Sequence, residues 1–264
     1  MLAVQNIVKK YNNNMILDDI SLSIPKGALT GLIGANGAGK STLLSIMSRL
    51  VRQDSGNVYL NDQLISKYKT AEIARQVAVL RQSNNLNLNL TIRELVSFGR
   101  YPHTRGRLKS KDYTIIDQAL QYLQLQDMQH KSILNLSGGE RQRALIAMTV
   151  AQDTPCILLD EPLNNLDMKH ASAIMSTLHG LVQDTGRTFV VVLHDINCAA
   201  CYCDYIVALK DCRIVKSGTP EQIMQKTVID YVFDIDCHIH EICEMRVCIH
   251  YNQKVHKDTH NCTC

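Results

Sequence analysis

The sequence predicts an α/β fold built around a largely parallel sheet. Three observations carry that prediction. Beyond Leu136, helical and strand patterns alternate. The runs Cys156–Asp160 and Thr188–His194 are nearly continuous apolar stretches, as in strands covered on both faces. A glycine-rich turn, Gly34–Ser41, joins a strand pattern to a helical one.

In chain order, strand patterns cover Leu2–Val8, Ile16–Ile24 and Ala28–Ile33. Within the second, Ile20, Leu22 and Ile24 alternate with Asp19, Ser21 and Ser23, so one face is buried. A helix follows from Lys40 to about Leu50, then a strand pair around Gly56–Leu60 and a strand at Val77–Arg81. Leu90–Gln126 is mostly helical, with Ile115, Ile116, Ala119, Leu120 and Leu123 at helical spacing. The helical stretch near 84–150 reads as an insertion between two sheet strands. Tyr205–Leu209 is a further strand, and from Pro220 the pattern gives two short helices and a hairpin over 237–243 and 246–251. The expected organisation is one domain, 1–251, followed by a tail, 252–264.

Composition narrows the function classes. With 264 residues, 45% hydrophobic, the chain can bury a full core. A formal charge of 28 − 25 = +3 is too small to argue for nucleic acid or an anionic membrane surface. No apolar run approaches the ~18–20 residues that span a bilayer, and the N-terminus lacks a basic-then-apolar signal pattern. A cytosolic location is expected. Ten cysteines in a chain of this length do not form a disulfide scaffold. Cys198, Cys201 and Cys203 are expected to be small buried residues. Residues 237–264 hold five Cys and five His, with no pair of CxxC motifs at zinc-site spacing. A solvated tail is the expectation, with metal sensing as the alternative.

The chemistry starts at Gly34-Ala35-Asn36-Gly37-Ala38-Gly39-Lys40-Ser41, which fits GxxxxGK[ST] between a strand and a helix. Glycines let backbone N–H groups curl inward around phosphate oxygens, and the following helix adds the positive end of its dipole. Gly34, Asn36, Gly37, Gly39, Lys40, Ser41 and Thr42 are the candidate nucleotide-binding residues. Lys40 supplies a cation for the β- and γ-phosphates, and Ser41 a hydroxyl for Mg²⁺. Asp160 and Glu161 end an apolar strand, where parallel sheets place ligand chemistry. Asp160 is placed to orient Mg²⁺, and Glu161 to polarise a water for in-line attack. His194 ends another such strand and is a candidate γ-phosphate sensor. Gln82 ends a third, and its amide suits Mg²⁺ or the attacking water.

Ser137-Gly138-Gly139-Glu140 precedes a helical run. Ser137 and Glu140 form a capping box. Two glycines inside a helix start each cost about 1 kcal/mol against alanine. They are explained if an anion approaches the bare backbone there. Because one phosphate cradle already exists at Gly34–Ser41, this second one suits a partner's nucleotide.

Leu136-Ser-Gly-Gly-Glu140 followed by Arg141-Gln142-Arg143 resembles the signature of ATP-binding-cassette (ABC) ATPases. The resemblance runs from about residue 2 to 251 and takes in the Gly34–Ser41 loop, Gln82, Ile157–Pro162, Asn165-Leu166-Asp167 and His194 in family order. It implies a P-loop NTPase, RecA-like core with an N-terminal antiparallel β subdomain and an inserted α-helical subdomain. It implies a head-to-tail homodimer with ATP between the loop of one copy and Ser137–Glu140 of the other. Asp167 would lie across the dimer axis, and Tyr11 would stack on adenine, a contact that typically contributes ~1–3 kcal/mol. Arg81–Arg107 corresponds to the segment that grips the membrane partner. The stretch Arg93–Pro102, with Arg105-Gly106-Arg107, and the stretch Glu161–His170, with Leu163, resemble the ATPase subunits of iron-chelate (siderophore) importers. The implied activity is ATP hydrolysis powering import through a separate transmembrane permease at the cytoplasmic face of the bacterial inner membrane. A substrate-binding protein would be an indirect partner. Haem and cobalamin importers share much of this pattern, and a non-transport ABC ATPase is a further alternative.

Overall fold

The computed structural model describes residues 2–82, 88–242 and 245–251. In chain order the elements are β1 (Leu2–Tyr11), β2 (Asn14–Ser23), β3 (Leu29–Gly34), α1 (Lys40–Met47), β4 (Ser55–Leu60), β5 (Gln63–Leu64), α2 (Thr70–Ile73) and β6 (Val77–Leu80). Then come α3 (Ile92–Phe98), α4 (Tyr101–Thr104), α5 (Ser110–Tyr122), α6 (Gly138–Ala151), β7 (Cys156–Leu159), α7 (Met168–Thr185) and β8 (Thr188–Val192). The chain continues through α8 (Ile196–Tyr202), β9 (Tyr205–Lys210), β10 (Arg213–Gly218), α9 (Pro220–Ile223), α10 (Lys226–Phe233), β11 (His238–Ile242) and β12 (Met245–Ile249).

A six-stranded sheet, ordered β10-β9-β3-β8-β7-β6, forms the centre. Its strands run parallel except β10, which pairs antiparallel with β9. The apolar runs are continuous because both faces are buried. Ile157, Leu159, Phe189 and Val191 face the helices, whereas Cys156, Leu158, Val190 and Val192 join a second cluster with α1 and the antiparallel sheet. That second sheet is ordered β2-β1-β4-β5. In β2, Ile20 and Leu22 are buried and Asp19, Ser21 and Ser23 exposed, as the alternation requires. Helices α3–α6 lie between β6 and β7, which are themselves sheet neighbours. The α/β expectation with a largely parallel sheet holds.

Three local expectations need correction. The first helix ends at Met47, not near Leu50, because Arg49 adopts a left-handed backbone (φ 59°) that a helix cannot continue. The strand pair at Gly56–Leu60 is lopsided: β5 has two residues, and β4 pairs chiefly with β1. Of Cys198, Cys201 and Cys203, only Cys203 is fully buried; Cys198 is half-buried and Cys201 exposed. Helix α8 turns Ala199 and Cys203, four residues apart, toward β3, and Cys201 falls on the opposite side.

The C-terminal elements form as expected, with β11 and β12 in an antiparallel hairpin. Cys237 and Cys248 are buried in the main core. His238 and His240 lie on an exposed strand face. Among the described residues no group of three or more metal-capable side chains comes together. Cys243 and the 252–264 tail lie outside the described residues. No helix among the described residues is long and apolar enough to cross a membrane.

One buried ion pair ties the helical region together. Arg100 and Asp112 are 3% and 6% exposed, with Arg100 Nε 3.0 Å from Asp112 Oδ1. Arg100 Nη1 also donates to the Ala151 carbonyl of α6. Burial pushes the Asp112 carboxyl upward, but the Lys109 backbone N–H and the Arg100 guanidinium outweigh it and hold it below the usual range. Its contribution is therefore complete above the unfolded carboxylate pKa and is lost as pH falls through the lowered folded value. Arg100→Ala leaves a buried carboxylate unpaired and should cost about 3–5 kcal/mol. Denaturant unfolding of the nucleotide-free chain checks this, and a loss under about 1 kcal/mol would show the pair to be dispensable.

Candidate functional site

The glycine-rich loop sits at the carboxyl end of β3, the strand at the heart of the sheet. Gly34 has φ 145°, and a Cβ there would stand 2.2 Å from the Leu209 carbonyl oxygen, so only glycine lets β3 pass β9 into the loop. Gly39 is the left-handed N-cap of α1 (φ 94°), and a Cβ on it would stand 2.6 Å from the Ile16 carbonyl. Lys40 is buried, with Nζ donating to the Gly34 and Ala35 carbonyls at 2.8 and 3.0 Å. Burial lowers its pKa, while the charges of Glu161 and Asp160 act to raise it. The ammonium is thus held inside the loop's own curl, where a bound phosphate would meet it.

The carboxyl ends of β7, β8 and β6 bring the remaining groups to the same place. The Asp160 N–H donates to the Leu80 carbonyl at 2.9 Å, which fixes the end of β7 against β6. Asp160 Oδ1 accepts from Ser41 Oγ at 2.7 Å. Burial raises the Asp160 carboxyl; the Ser41 hydrogen bond opposes this and the Glu161 charge adds to it. Glu161 follows with a left-handed backbone (φ 51°), an uncommon state for a non-glycine residue and one that clusters at functional sites. Its carboxylate gathers three partners. Gln82 Nε2 and Asn164 Nδ2 both donate to Oε2, and His194 Nε2 lies 3.0 Å from Oε1. An ionised carboxylate only accepts, so His194 makes this contact through its Nε2–H. His194 is itself placed between the end of β8 and the start of α8, which Asp195 caps through the Asn197 and Cys198 N–H groups.

A cleft of about 240 Å³ opens beside these groups, lined by Tyr11, Asn36, Gly37, Lys40, Thr42 and Glu161 among others. Tyr11 is 45% exposed at the end of β1. Ser137, Gly138, Gly139 and Asp167 do not line this cleft. Ser137 caps α6, accepting from the Glu140 N–H, while Glu140 accepts from the Ser137 N–H at 2.8 Å. Asp167 caps α7. One chain therefore carries the glycine-rich loop and, apart from it, a second, capped helix start at Ser137.

Two residues escape sequence reasoning. Asn164 lies in the quoted Glu161–His170 stretch, but its contact with Glu161 depends on the turn between them. The available signal is its three-residue offset from Glu161, in a turn that follows the end of β7. His170 packs against Gly139, which no local pattern announces. Leu163, read as a mark of the iron-chelate group, packs with Leu166 against the main core.

The ABC transporter family model matches residues 17–164. The petrobactin import ATP-binding protein YclP of Bacillus subtilis is 49% identical over 252 residues, covering 96% of this chain and 100% of that protein. The iron(3+)-hydroxamate import ATP-binding protein FhuC of the same organism is 42% identical over 240 residues, covering 90% of this chain and 89% of that one. Among solved structures, the dimeric structure of MJ0796, a bacterial ABC transporter cassette, superposes with a TM-score of 0.74 at 29% identity, covering 83% of this chain and 99% of that chain. With a family match over more than half its length and a relative 49% identical over nearly the whole chain, the chain belongs to the ABC transporter family, as one of its ATP-binding cassettes.

Proposed function

We propose that the chain hydrolyses ATP to drive import of an iron–siderophore complex through a separate permease, as a homodimer at the cytoplasmic face of the bacterial inner membrane. The observation that carries the catalytic part is the gathering of Gln82, Asn164 and His194 on Glu161, next to the Ser41–Asp160 pair. The similarity to petrobactin and hydroxamate import proteins over most of the chain supports the substrate class.

In this reading Tyr11 stacks on adenine, and Gly34, Asn36, Gly37, Gly39 and Thr42 present the loop to the phosphates while Lys40 neutralises them. Glu161 accepts a proton from the attacking water. Gln82 and Asn164 hold that carboxylate in place, and His194 positions the water and the γ-phosphate. Ser137, Gly138 and Gly139 of the second copy close over the same nucleotide, with Asp167 at the dimer axis. The donor set around Asp160 fits Mg²⁺: a hydroxyl, a carboxylate and an amide are hard oxygen ligands. A carboxyl that burial drives upward is also one that a nearby cation would relieve. Ser41, Asp160 and Gln82 would hold it, and it would supply positive charge to the β- and γ-phosphates.

The permease contact belongs on the helical region. A 690 Å³ cleft there is lined by Leu90, Arg93, Phe98, Tyr101, Leu108 and Tyr113, among others. Ile92, Leu95 and Val96 turn inward from α3, which leaves Phe98 53% exposed, and Tyr101 at the start of α4 is 61% exposed. Large exposed aromatics at a cleft suit an inserted helix from a partner. Changing both Phe98 and Tyr101 to Ala should cost about 2 kcal/mol or more of docking. The chain retained on washed membranes should then fall more than about tenfold; unchanged retention would place the permease elsewhere.

Affinity purification of the tagged chain from gently solubilised native membranes tests the whole reading. A polytopic permease should accompany it. Soluble or ribosomal partners alone would overturn the transport reading, and a haem or cobalamin permease would redirect the substrate.

A further inference from the structure

The two glycines that open α6 are not equivalent. Gly138 is exposed, and a Cβ on it would meet nothing within 4 Å. Gly139 is buried, and a Cβ on it would stand 2.7 Å from Cδ2, 2.9 Å from Cγ and 3.2 Å from Nε2 of His170. Both have helical backbones, so conformation does not demand glycine at either place. On helix propensity alone, alanine would be better at both. The imidazole of His170 therefore gives Gly139 an intrachain reason to be glycine, separate from the approach of an anion.

That ring, 37% exposed, is tethered on one side. His170 Nδ1 lies 2.8 Å from Asp167 Oδ1. The same carboxylate oxygen accepts the His170 backbone N–H at 2.8 Å and so caps α7. Because the carboxylate only accepts, the ring proton sits on Nδ1 and both bonds hold together. Asp167, the ring and Gly139 form a continuous chain from the start of α7 to the start of α6. Asp167 and Met168 around it are exposed, so this chain lies at the molecular surface.

We propose that His170 is a positioning residue for closure of the ATP-bound dimer. Its ring, pinned by Asp167, sets the spacing between the α6 N-terminus and the Asn165–Asp167 turn, so that both meet the second copy as one unit. This rests on the reading above that the two segments face a partner cassette and its nucleotide. Loss of the ring lets the α6 N-terminus shift relative to the turn. Nucleotide binding by the isolated cradle is untouched, because no residue of this chain of contacts lines the Tyr11–Glu161 cleft.

The test is a variant cycle in the full chain carrying Glu161→Gln, with ATP and Mg²⁺, read by sedimentation for dimerisation and by nucleotide titration for binding. His170→Ala should weaken the ATP-bound dimer about tenfold, since small misplacements at such sites are amplified, with nucleotide affinity unchanged when titrated at protein concentrations where the chain is monomeric. Gly139→Ala should weaken it about a hundredfold. The double variant should return to within about threefold of His170→Ala, because the clash is removed with the ring. A double variant as weak as Gly139→Ala alone, or as weak as the product of the two, would overturn the proposal. Unaltered dimerisation in His170→Ala would do the same. His170→Asn, which keeps an N–H for Asp167 without the ring, replaces His170→Ala if that variant does not fold. A Glu161→Gln chain that stays monomeric with ATP would instead sink the head-to-tail reading, and the inference with it.

Discussion

Glu161→Gln is expected to lower ATP turnover by about 10²–10⁴-fold while leaving nucleotide binding intact. The amide keeps nearly the same shape, and its oxygen can still accept from Gln82 and Asn164, while its NH2 meets His194 once that ring carries its proton on Nδ1, so the cradle and the ends of β7 and β8 should not shift. What is lost is a group that can take a proton from water. The variant should accumulate as an ATP-bound dimer, visible as a doubling of sedimenting mass with ATP and absent with ADP. Phosphate release under single-turnover conditions checks the first claim. Hydrolysis at the wild-type rate would show that another group is the base, and His194, on the same carboxylate, would be examined next.

Lys40→Ala is expected to remove nucleotide binding rather than chemistry. The Lys40 ammonium is buried and satisfied by two loop carbonyls, so it is already aimed into the loop. Two charge-assisted hydrogen bonds to phosphate at about 1.5–3 kcal/mol each imply a Kd at least about a hundredfold weaker. Lys40→Arg should not rescue it, because the planar guanidinium does not fit where a compact ammonium sits between the Gly34 and Ala35 carbonyls. Titration calorimetry with ATP separates the outcomes. Near-normal affinity in Lys40→Ala would mean that backbone N–H groups and the α1 dipole alone bind the phosphates.

The features legible in the sequence were those encoded within a short stretch. Gly34–Ser41 shows itself because loop, lysine and hydroxyl are contiguous, and each glycine answers a local demand of the backbone. Asp160, Glu161 and His194 show themselves because parallel strands deliver their last residues to one edge. The Ser137–Glu140 capping box is likewise local, and it forms as expected. What stayed hidden depends on contacts between separate segments. Asn164 reaches Glu161 only because the left-handed backbone at Glu161 folds the chain back. The local sequence points to anion approach at Gly139, while the nearest side chain a Cβ there would meet is the ring of His170, from another helix. A helix packed near His194 suggests that Cys201 lies inside, but α8 buries one face only and Cys201 is exposed. The sequence runs the helix from Lys40 to about Leu50, whereas α1 stops at Met47, because the left-handed turn at Arg49 leaves no local hydrophobic signature.

The direct test of the account is uptake of iron-55 bound to petrobactin or a hydroxamate siderophore by cells lacking this chain. Complementation by the wild-type chain should restore uptake, and complementation by Glu161→Gln at equal abundance should not. Uptake that is unaffected by loss of the chain, or that Glu161→Gln restores in full, would contradict it.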